Sequence, residues 1–344
     1  MAIALDGMGG DFAPQIPVKG AILAAQELNE KIYLIGPENI LKKELEKYSY
    51  PSSLIEIVDA PDIVTMDEKP SVALRKKKNS SIHIGAKLVK DNLADAFVSA
   101  GNTGAVMAIC TFILKILPGI SRPAITAILP NLKGKTVLLD VGANVDCKSR
   151  YLVEFALMGE AYARYALNLN PPRVGILNIG EEKTKGNELT KDTYKLLEEL
   201  KKHGFPFFGN AEGRDVYSGK FDVIVCDGFV GNVALKMSES LAKIVLKILK
   251  EEIKKSFLAR LGSIFLKPAF KSFKRRTDYA QWGGAPLLGL NYPVIIAHGS
   301  SNEIAIKNAI LRAKEFKSAS VNDHILKNIE KYIPILNELC INRG

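Results

Sequence analysis

Six turns rich in Gly, Asn, Asp, Ser and Thr hold most of the residues in this chain that could do chemistry. They are Asp6-Gly7-Met8-Gly9-Gly10-Asp11, Gly101-Asn102-Thr103-Gly104, Asp140-Val141-Gly142-Ala143-Asn144, Gly180 to Asn187, Asp227-Gly228 to Asn232, and Gly299-Ser300-Ser301-Asn302. Each ends a short apolar run and opens a helical pattern. At such junctions glycine lets the backbone come close to a ligand, while free N–H groups and the helix dipole favour an anion. Any one of these turns reads equally well as an Asx turn or a cap with no ligand. The spacing of Gly7, Gly9 and Gly10 is neither the dinucleotide fingerprint nor a P-loop.

The side chains narrow the reaction class. A serine hydrolase needs Gly-x-Ser-x-Gly between a strand and a helix, and this sequence has none. Cys226 stands at a strand end beside Asp227 but has no neighbouring histidine, so it reads as a buried thiol. His298 is the histidine at a strand end, and a structural hydrogen bond is its default role. Asp6, Asp140 and Asp227 are hard carboxylates of the kind that suit Mg²⁺. An aspartyl-phosphatase nucleophile needs Asp-x-Asp, and Met8 replaces the second aspartate. What remains is backbone donors, amides and Lys185 in a Gly/Thr/Asn-rich loop, with Asn232 at a helix start, where it also suits an N-cap. Such groups fit anion binding and oxyanion stabilisation better than a covalent nucleophile.

The elements that must position these turns alternate along the chain. Strands are expected at Met1 to Leu5, Ile32 to Ile35, Leu54 to Val58, Phe97 to Ser99, Ala124 to Leu129, Thr136 to Leu139, Val174 to Asn178, Phe205 to Phe208, Asp222 to Val225 and Val294 to Ala297. Helical patterns separate most of them. The pattern predicts an α/β fold: three layers, a largely parallel sheet with helices on both faces. In such a sheet the polar strand ends lie along one edge and line one crevice. One domain over residues 1–344, with room for two lobes, is the expected organisation. The helix from Val233 to Phe257 is expected to bury Leu241, Ile244, Val245, Ile248 and Leu249.

Composition sets further bounds. The chain has 344 residues, 47% of them hydrophobic, enough for a substantial core. Lys and Arg (47) exceed Asp and Glu (37), for a net charge of +10, which suits an acidic or phosphate-bearing partner. The scattered Cys110, Cys147, Cys226 and Cys340 fit reduced thiols in a cytosol rather than a disulfide or zinc framework. No signal-peptide pattern is read at the start, and no apolar run reaches the ~18 residues a spanning helix needs.

Eight collinear stretches then carry a resemblance. They are ALDGMGGDFAP from Ala4, VSAGNTGA from Val98, RPAITAILP from Arg122, LLDVGANVDCK from Leu138, ILNIGEEKTKGN from Ile176, GNAEGRD from Gly209, VCDGFVGNVALK from Val225 and GGAPLLGL from Gly283. In them the chain resembles the bacterial phosphate acyltransferases of phospholipid synthesis, which move an acyl group from acyl carrier protein (ACP) to inorganic phosphate. The resemblance implies a fold similar to phosphotransacetylase and the isocitrate/isopropylmalate dehydrogenases, a homodimer, and no cofactor or metal. It places Lys185 and Asn232 at catalytic loop positions. It gives binding of phosphate and the phosphopantetheine thioester to Asp6, Gly7, Gly9, Gly10, Asp11, Asn102, Thr103, Gly104, Asp140, Gly142, Asn144, Asp227, Gly228, Gly231 and Gly299. A phosphotransacetylase-like enzyme using short acyl-CoA is the alternative. A nonenzymatic lipid- or nucleic-acid-binding protein is another, although the basic residues lack the interleaved aromatics of RNA binding.

One segment stands apart. Between Glu252 and Asp278 there is no acidic residue, and Leu258, Leu261, Ile264, Phe265, Phe270 and Phe273 are interleaved with Lys and Arg. That composition, at about 254–276, suits a protruding segment lying on an anionic bilayer. A dimer contact or a buried hairpin is the alternative. The resemblance implies a cytoplasmic, peripherally membrane-associated enzyme that hands its product to a membrane glycerol-3-phosphate acyltransferase. The second basic cluster, Arg75 to Lys78, suits either acidic ACP or plain solvation.

Overall fold

Each apolar run expected to form a strand does so in the computed structural model, which describes residues 1–277 and 283–341. The first half of the chain gives β1 (Ala2–Asp6), α1 (Gln15–Leu28), β2 (Lys31–Gly36), α2 (Glu38–Leu45), β3 (Ile55–Asp59), α3 (Pro70–Lys76), α4 (Ser81–Lys90), β4 (Ala96–Ser99) and α5 (Thr103–Leu114). Then come β5 (Ala124–Pro130), β6 (Lys135–Leu139), α6 (Ser149–Ala161, continued by a π-helical turn at Tyr162–Ala166), β7 (Val174–Leu177) and α7 (Glu188–Lys202). These are followed by β8 (Phe207–Ala211), α8 (Asp215–Ser218), β9 (Val223–Val225) and the long α9 (Gly228–Lys255). α10 (Phe257–Phe265), α11 (Lys267–Thr277), β10 (Ala285–Leu288), β11 (Val294–Ile296), α12 (Glu303–Ser318) and α13 (Val321–Ile341) complete the described chain.

β10 has no counterpart in the sequence reading. It is short, bounded by glycines, and carries Pro286, which argues against a strand interior. β8 starts two residues later than expected, because Phe205 turns back to bond Leu200 before the strand begins. The short α3 also went unread, its pattern hidden in a basic run.

The strands form one sheet in the order β3-β2-β1-β4-β11-β10-β5-β6-β9-β7-β8. Central strands such as β4 are buried at every residue, as expected of strands covered on both faces. Each fully buried side chain of this kind, Phe97 or Leu34 for example, contributes roughly 1.5–3 kcal/mol. Helices α1 and α12 pack together beside the first half, and α6 and α13 beside the second.

The sheet is largely parallel, as expected, but its strands do not all run one way. β3, β2, β1, β4 and β11 run parallel, as do β6, β9, β7 and β8, but antiparallel pairings at β11–β10, β10–β5 and β5–β6 separate the two sets. The two half-sheets therefore point in opposite directions. Their registers show how they meet: Ser99, Ile296 and Ala285 are level at the end of the first set, and Thr126, Leu139 and Val225 at the end of the second. Ile125 opposite Leu287 puts those two levels within about one residue of each other. The polar strand ends do not lie along one edge. They face each other head-on across a seam that β5 crosses.

The expected burial of the α9 stripe is also corrected. Leu241 is 63% exposed, Ile244 53%, Val245 49%, Ile248 52% and Leu249 40%. Helical periodicity identifies an apolar face but not what covers it, and here the face is left exposed by the rest of the chain.

The N-terminal turn of α9 is seated on the loop after β6. Gly228 N donates to Asn144 O at 2.7 Å, and a Cβ on Gly231 would stand 1.9 Å from the Asp140 carbonyl oxygen. Gly231→Ala is expected to lift the helix and destabilise the fold by about 1–3 kcal/mol. A chemical-denaturation midpoint equal to that of the wild type would contradict this seating.

Candidate active site

On one side of the seam, the loops after β1, β4 and β11 are tied together. The Asp6 carboxylate accepts from Ser99 Oγ (2.7 Å) and Met8 N (3.0 Å), and Ser99 Oγ accepts from Gly101 N (3.0 Å). Asp11 N donates to Gly299 O at 2.8 Å. Asn102 caps α5 by accepting from Ala105 N, and its Nδ2 faces the Thr65, Met66 and Glu68 carbonyls at 2.8–3.3 Å. That amide pins the segment leading into α3 against the mouth of the site, with Pro70 packed close to Gly104.

On the other side, Asp140 organises the loop after β6. Its Oδ1 accepts from Ile125 N, Gly142 N and Ala143 N, and its Oδ2 from Asn144 N and Nδ2, at 2.6–3.2 Å. Asp227 caps α9 by accepting from Val230 N at 2.9 Å. Burial pushes the carboxyls of Asp6 and Asp140 above the ordinary carboxylate range, against the opposing pull of their donors. These three aspartates, expected among ligand-binding or metal-binding groups, have oxygens engaged in holding loops. Among the described residues no group of three or more His, Cys, Asp or Glu is placed to hold a metal. Burial also raises the thiols of Cys110, Cys226 and Cys147, the last to about 12, so none is a ready thiolate at neutral pH.

Between the two sides lies a cavity of about 590 Å³. Its walls are apolar: Met107 from α5, Ile125, Ala127, Ile128 and Leu129 from β5, and Leu235, Ala242 and Leu246 from α9. Its polar groups are Thr103 from the start of α5, Asn232, Lys236, Ser238, Glu239 and Lys243 from α9, and His298 and Ser301 from the loop before α12. Asn232, Lys236, Glu239, Lys243 and Leu246 recur at four- and three-residue spacing, which puts them on one face of α9. Asn232 Nδ2 donates to Val141 O at 3.1 Å, across Gly142, whose φ of +140° suits glycine.

Of the expected site residues, Thr103, Gly104, Gly142 and Asn232 line this cavity. Asp6, Gly7, Gly9, Gly10, Asp11, Asn102, Asp140, Asn144, Asp227, Gly228, Gly231 and Gly299 belong to the loops that shape it without lining it. Lys185 stands apart. It is exposed in the loop after β7, where its carbonyl accepts from Asn178 Nδ2, and it does not line the cavity. Lys236, Lys243 and Glu239 were missed, because in sequence they look like the solvated face of a helix. Their signal was the four-residue step from Asn232 to Lys236. Ser301 belongs to one of the six expected turns, while β5 carries no polar pattern that would mark it as a wall of the site.

A model of the family described as "fatty acid synthesis protein" matches residues 1–324. A phosphate acyltransferase of Aquifex aeolicus is 54% identical, over 97% of this chain and 98% of that one. The chain belongs to the phosphate acyltransferase family. It is accordingly an enzyme, and the nonenzymatic reading is set aside. The fold is shared with the EutD phosphotransacetylase of Staphylococcus aureus (TM-score 0.61, 17% identity, 93% of this chain and 94% of that one). It is also shared with a 4-hydroxythreonine-4-phosphate dehydrogenase of Klebsiella pneumoniae (TM-score 0.53, 12% identity, 92% and 98%). The expected fold relationship to phosphotransacetylase is thus found, and the dehydrogenase relationship is found in its broader form, with a dehydrogenase-like fold.

The site depends on Asp140 accepting on both oxygens. Asp140→Asn keeps the shape but turns an NH₂ group toward N–H donors. It is expected to cost about 1–3 kcal/mol, read as a lower thermal midpoint. An unchanged midpoint would show that the five bonds do not anchor the loop.

Proposed function

We propose that the enzyme transfers a long-chain fatty acyl group from ACP to inorganic phosphate, releasing acyl-phosphate for phospholipid synthesis. The observation that carries this reading is the cavity: mostly apolar walls around far more room than an acetyl group needs, with amide, hydroxyl and cationic groups and the Glu239 carboxylate also in its lining. An acyl thioester asks for that same combination, apolar surface for the chain and polar groups for the reacting carbonyl. A phosphate oxygen attacks the carbonyl carbon, the C–S bond breaks, and the thiolate leaves and takes up a proton. No strong base is required, since phosphate is already anionic. The enzyme's part is positioning and stabilisation of the tetrahedral oxyanion.

In this reading Asn232 supplies a donor. One of its two amide hydrogens goes to Val141 O, and the other is available to the carbonyl oxygen. The proposed role of Lys185 requires the loop after β7 to bring its ammonium toward the seam. The loops carrying Asp6, Gly7, Gly9, Gly10, Asp11, Asn102, Asp140, Asn144, Asp227, Gly228, Gly231 and Gly299 hold the binding surface in shape, and residues 1–344 act as one catalytic unit. The basic residues Arg75 to Lys78 continue the segment that Asn102 pins at the mouth, which offers acidic ACP a surface beside the site.

Two further surfaces belong to the proposal. The exposed apolar face of α9 is our candidate contact between two copies in a homodimer, since patches of that size seldom stay in water. α10 and α11 form the membrane-facing tip of a cytoplasmic, peripherally bound enzyme, from which product passes to a membrane glycerol-3-phosphate acyltransferase. Among the described residues no helix is long and apolar enough to cross a membrane. Leu258 (77%), Leu261 (51%), Phe265 (81%) and Phe273 (46%) are exposed, and Phe270 is half-buried. The Ile264 side chain lies outside the described residues.

Phosphate-dependent consumption of acyl-ACP tests the reading, and preference for short acyl-CoA would replace it with the transacetylase alternative. Asn232→Ala is expected to lower kcat by ~10²–10³, and Lys185→Ala to lower it as well; wild-type rates in both variants would refute the assignment. In sedimentation with anionic vesicles, Leu258→Glu and Phe265→Glu are expected to leave the protein in the supernatant. Unchanged pelleting would remove the membrane role.

A further inference from the structure

In and around the loop after β7, the cations neighbouring Lys185 are already paired. Lys183 pairs with Glu198, Lys220 with Glu181 at 2.9 Å, and Arg214 with Glu212 at 2.7 Å. Among the described residues Lys185 Nζ has no ion-pair partner, so its ammonium is left for an incoming anion. The backbone beneath that ammonium is fixed from both sides. Lys185 N donates to Glu182 O at 3.1 Å and closes a turn, while Lys185 O accepts from Asn178 Nδ2 at 3.2 Å. Asn210 Nδ2 donates to the same Glu182 carbonyl at 2.9 Å.

Both amides have their orientation set by what faces them. Asn178 Oδ1 accepts from Ile179 N at 2.8 Å, which leaves Nδ2 as the end toward Lys185 O. At Asn210 the facing group is a carbonyl, which can only accept, so the NH₂ end points to it. The two residues belong to paired strands: Asn178 follows β7, Asn210 lies in β8, and Asn178 N donates to Ala211 O at 2.8 Å. The stem of the lysine has a fixed course as well, since a Cβ on Gly180 would stand 2.8 Å from Lys185 Cγ. Turn, carbonyl and stem together aim one side chain.

A role in stability does not account for Asn210. It is 3% exposed, and its Oδ1 is buried with no hydrogen-bond partner. A buried unpaired acceptor costs stability that an apolar side chain of similar size would not lose. Glu182 O would also keep its bond from Lys185 N without Asn210. What the amide adds is direction. We propose that Asn210 and Asn178 are positioning residues, which set the turn from which Lys185 reaches the reacting anion. This rests on the acyl-transfer reading given above and on the role it gives Lys185, and adds the residues that act through that lysine. A cation aimed before charge develops needs no reorganisation when it does. Whatever travel the loop makes toward the seam, it makes with Lys185 already oriented.

Steady-state kinetics with acyl-ACP and phosphate, read beside thermal midpoints, test this. Asn210→Leu and Asn178→Ala are each expected to lower kcat by about tenfold or more. Asn210→Leu should do so with a midpoint at or above that of the wild type, which a residue serving the fold alone would not show. In the Lys185→Ala enzyme, adding either substitution should cause no further loss, because no ammonium is left to aim. With Lys185→Ala impaired, wild-type kcat in either single variant would overturn the proposal for that residue. A lowered midpoint in Asn210→Leu would overturn it for Asn210, and the Asn178→Ala comparison then decides the rest. Losses that simply add in the double variants would overturn it for both. Wild-type kcat in Lys185→Ala would remove the lysine's role and the proposal with it, and that single variant tells this failure of the reading from a failure of the two amides.

Discussion

Ile125 is where the two half-sheets are joined. Ala124 and Ile125 pair with β10, and Thr126 to Pro130 pair with β6, so β5 changes partner at this point. A strand that changes partner leaves backbone groups out of register with both ladders. Here the Ile125 N–H donates to Asp140 Oδ1, and its carbonyl accepts from Val141 N at 3.0 Å. The loop that closes the seam is therefore the loop that forms one wall of the site. Unpaired, those groups would each cost the desolvation of a buried amide, about 1–3 kcal/mol. The carboxylate at this position is structural because the topology requires an acceptor there.

The same reasoning assigns the other aspartates. Asp6 and Asp140 are buried at equivalent places on the two half-sheets, each at the end of its strand, and each collects donors from the following loop. Asp227 does the same for α9 from a half-buried position. With the acids so engaged, the cavity is left to amides, hydroxyls, ammonium groups and the His298 imidazole, apart from Glu239, which is paired with Lys236. An environment of this kind stabilises negative charge and does not supply a strong base, which suits transfer to an acceptor that is already an anion.

α9 joins the site to the exterior. One face lines the cavity through Asn232, Lys236 and Leu246, while the opposite face presents Met237, Leu241 and Ile248 to solvent. Its N-terminal turn is clamped on the Asp140 loop, where Gly231 leaves room for the Asp140 carbonyl. Its far end leads into α10 and α11.

Much of this was local and therefore readable in the sequence. Strand–turn–helix punctuation is written in neighbouring residues: apolar runs such as Phe97 to Ser99 need burial on both faces, and Asn102, Asn187 and Asn302 cap the helices that follow. The collinear motifs likewise determined the family. Strand direction was not readable, because it depends on which strands pair across long separations, and β10, the strand that reverses the sheet, is four residues with a proline. The exposed face of α9 shares its period with a buried helix, so only tertiary contacts could show that the rest of the chain leaves it uncovered. Lys236 and His298 are 62 residues apart, and neither looks unusual alone. Their meeting follows from folding two opposed half-sheets against one crossing strand, which no local pattern encodes.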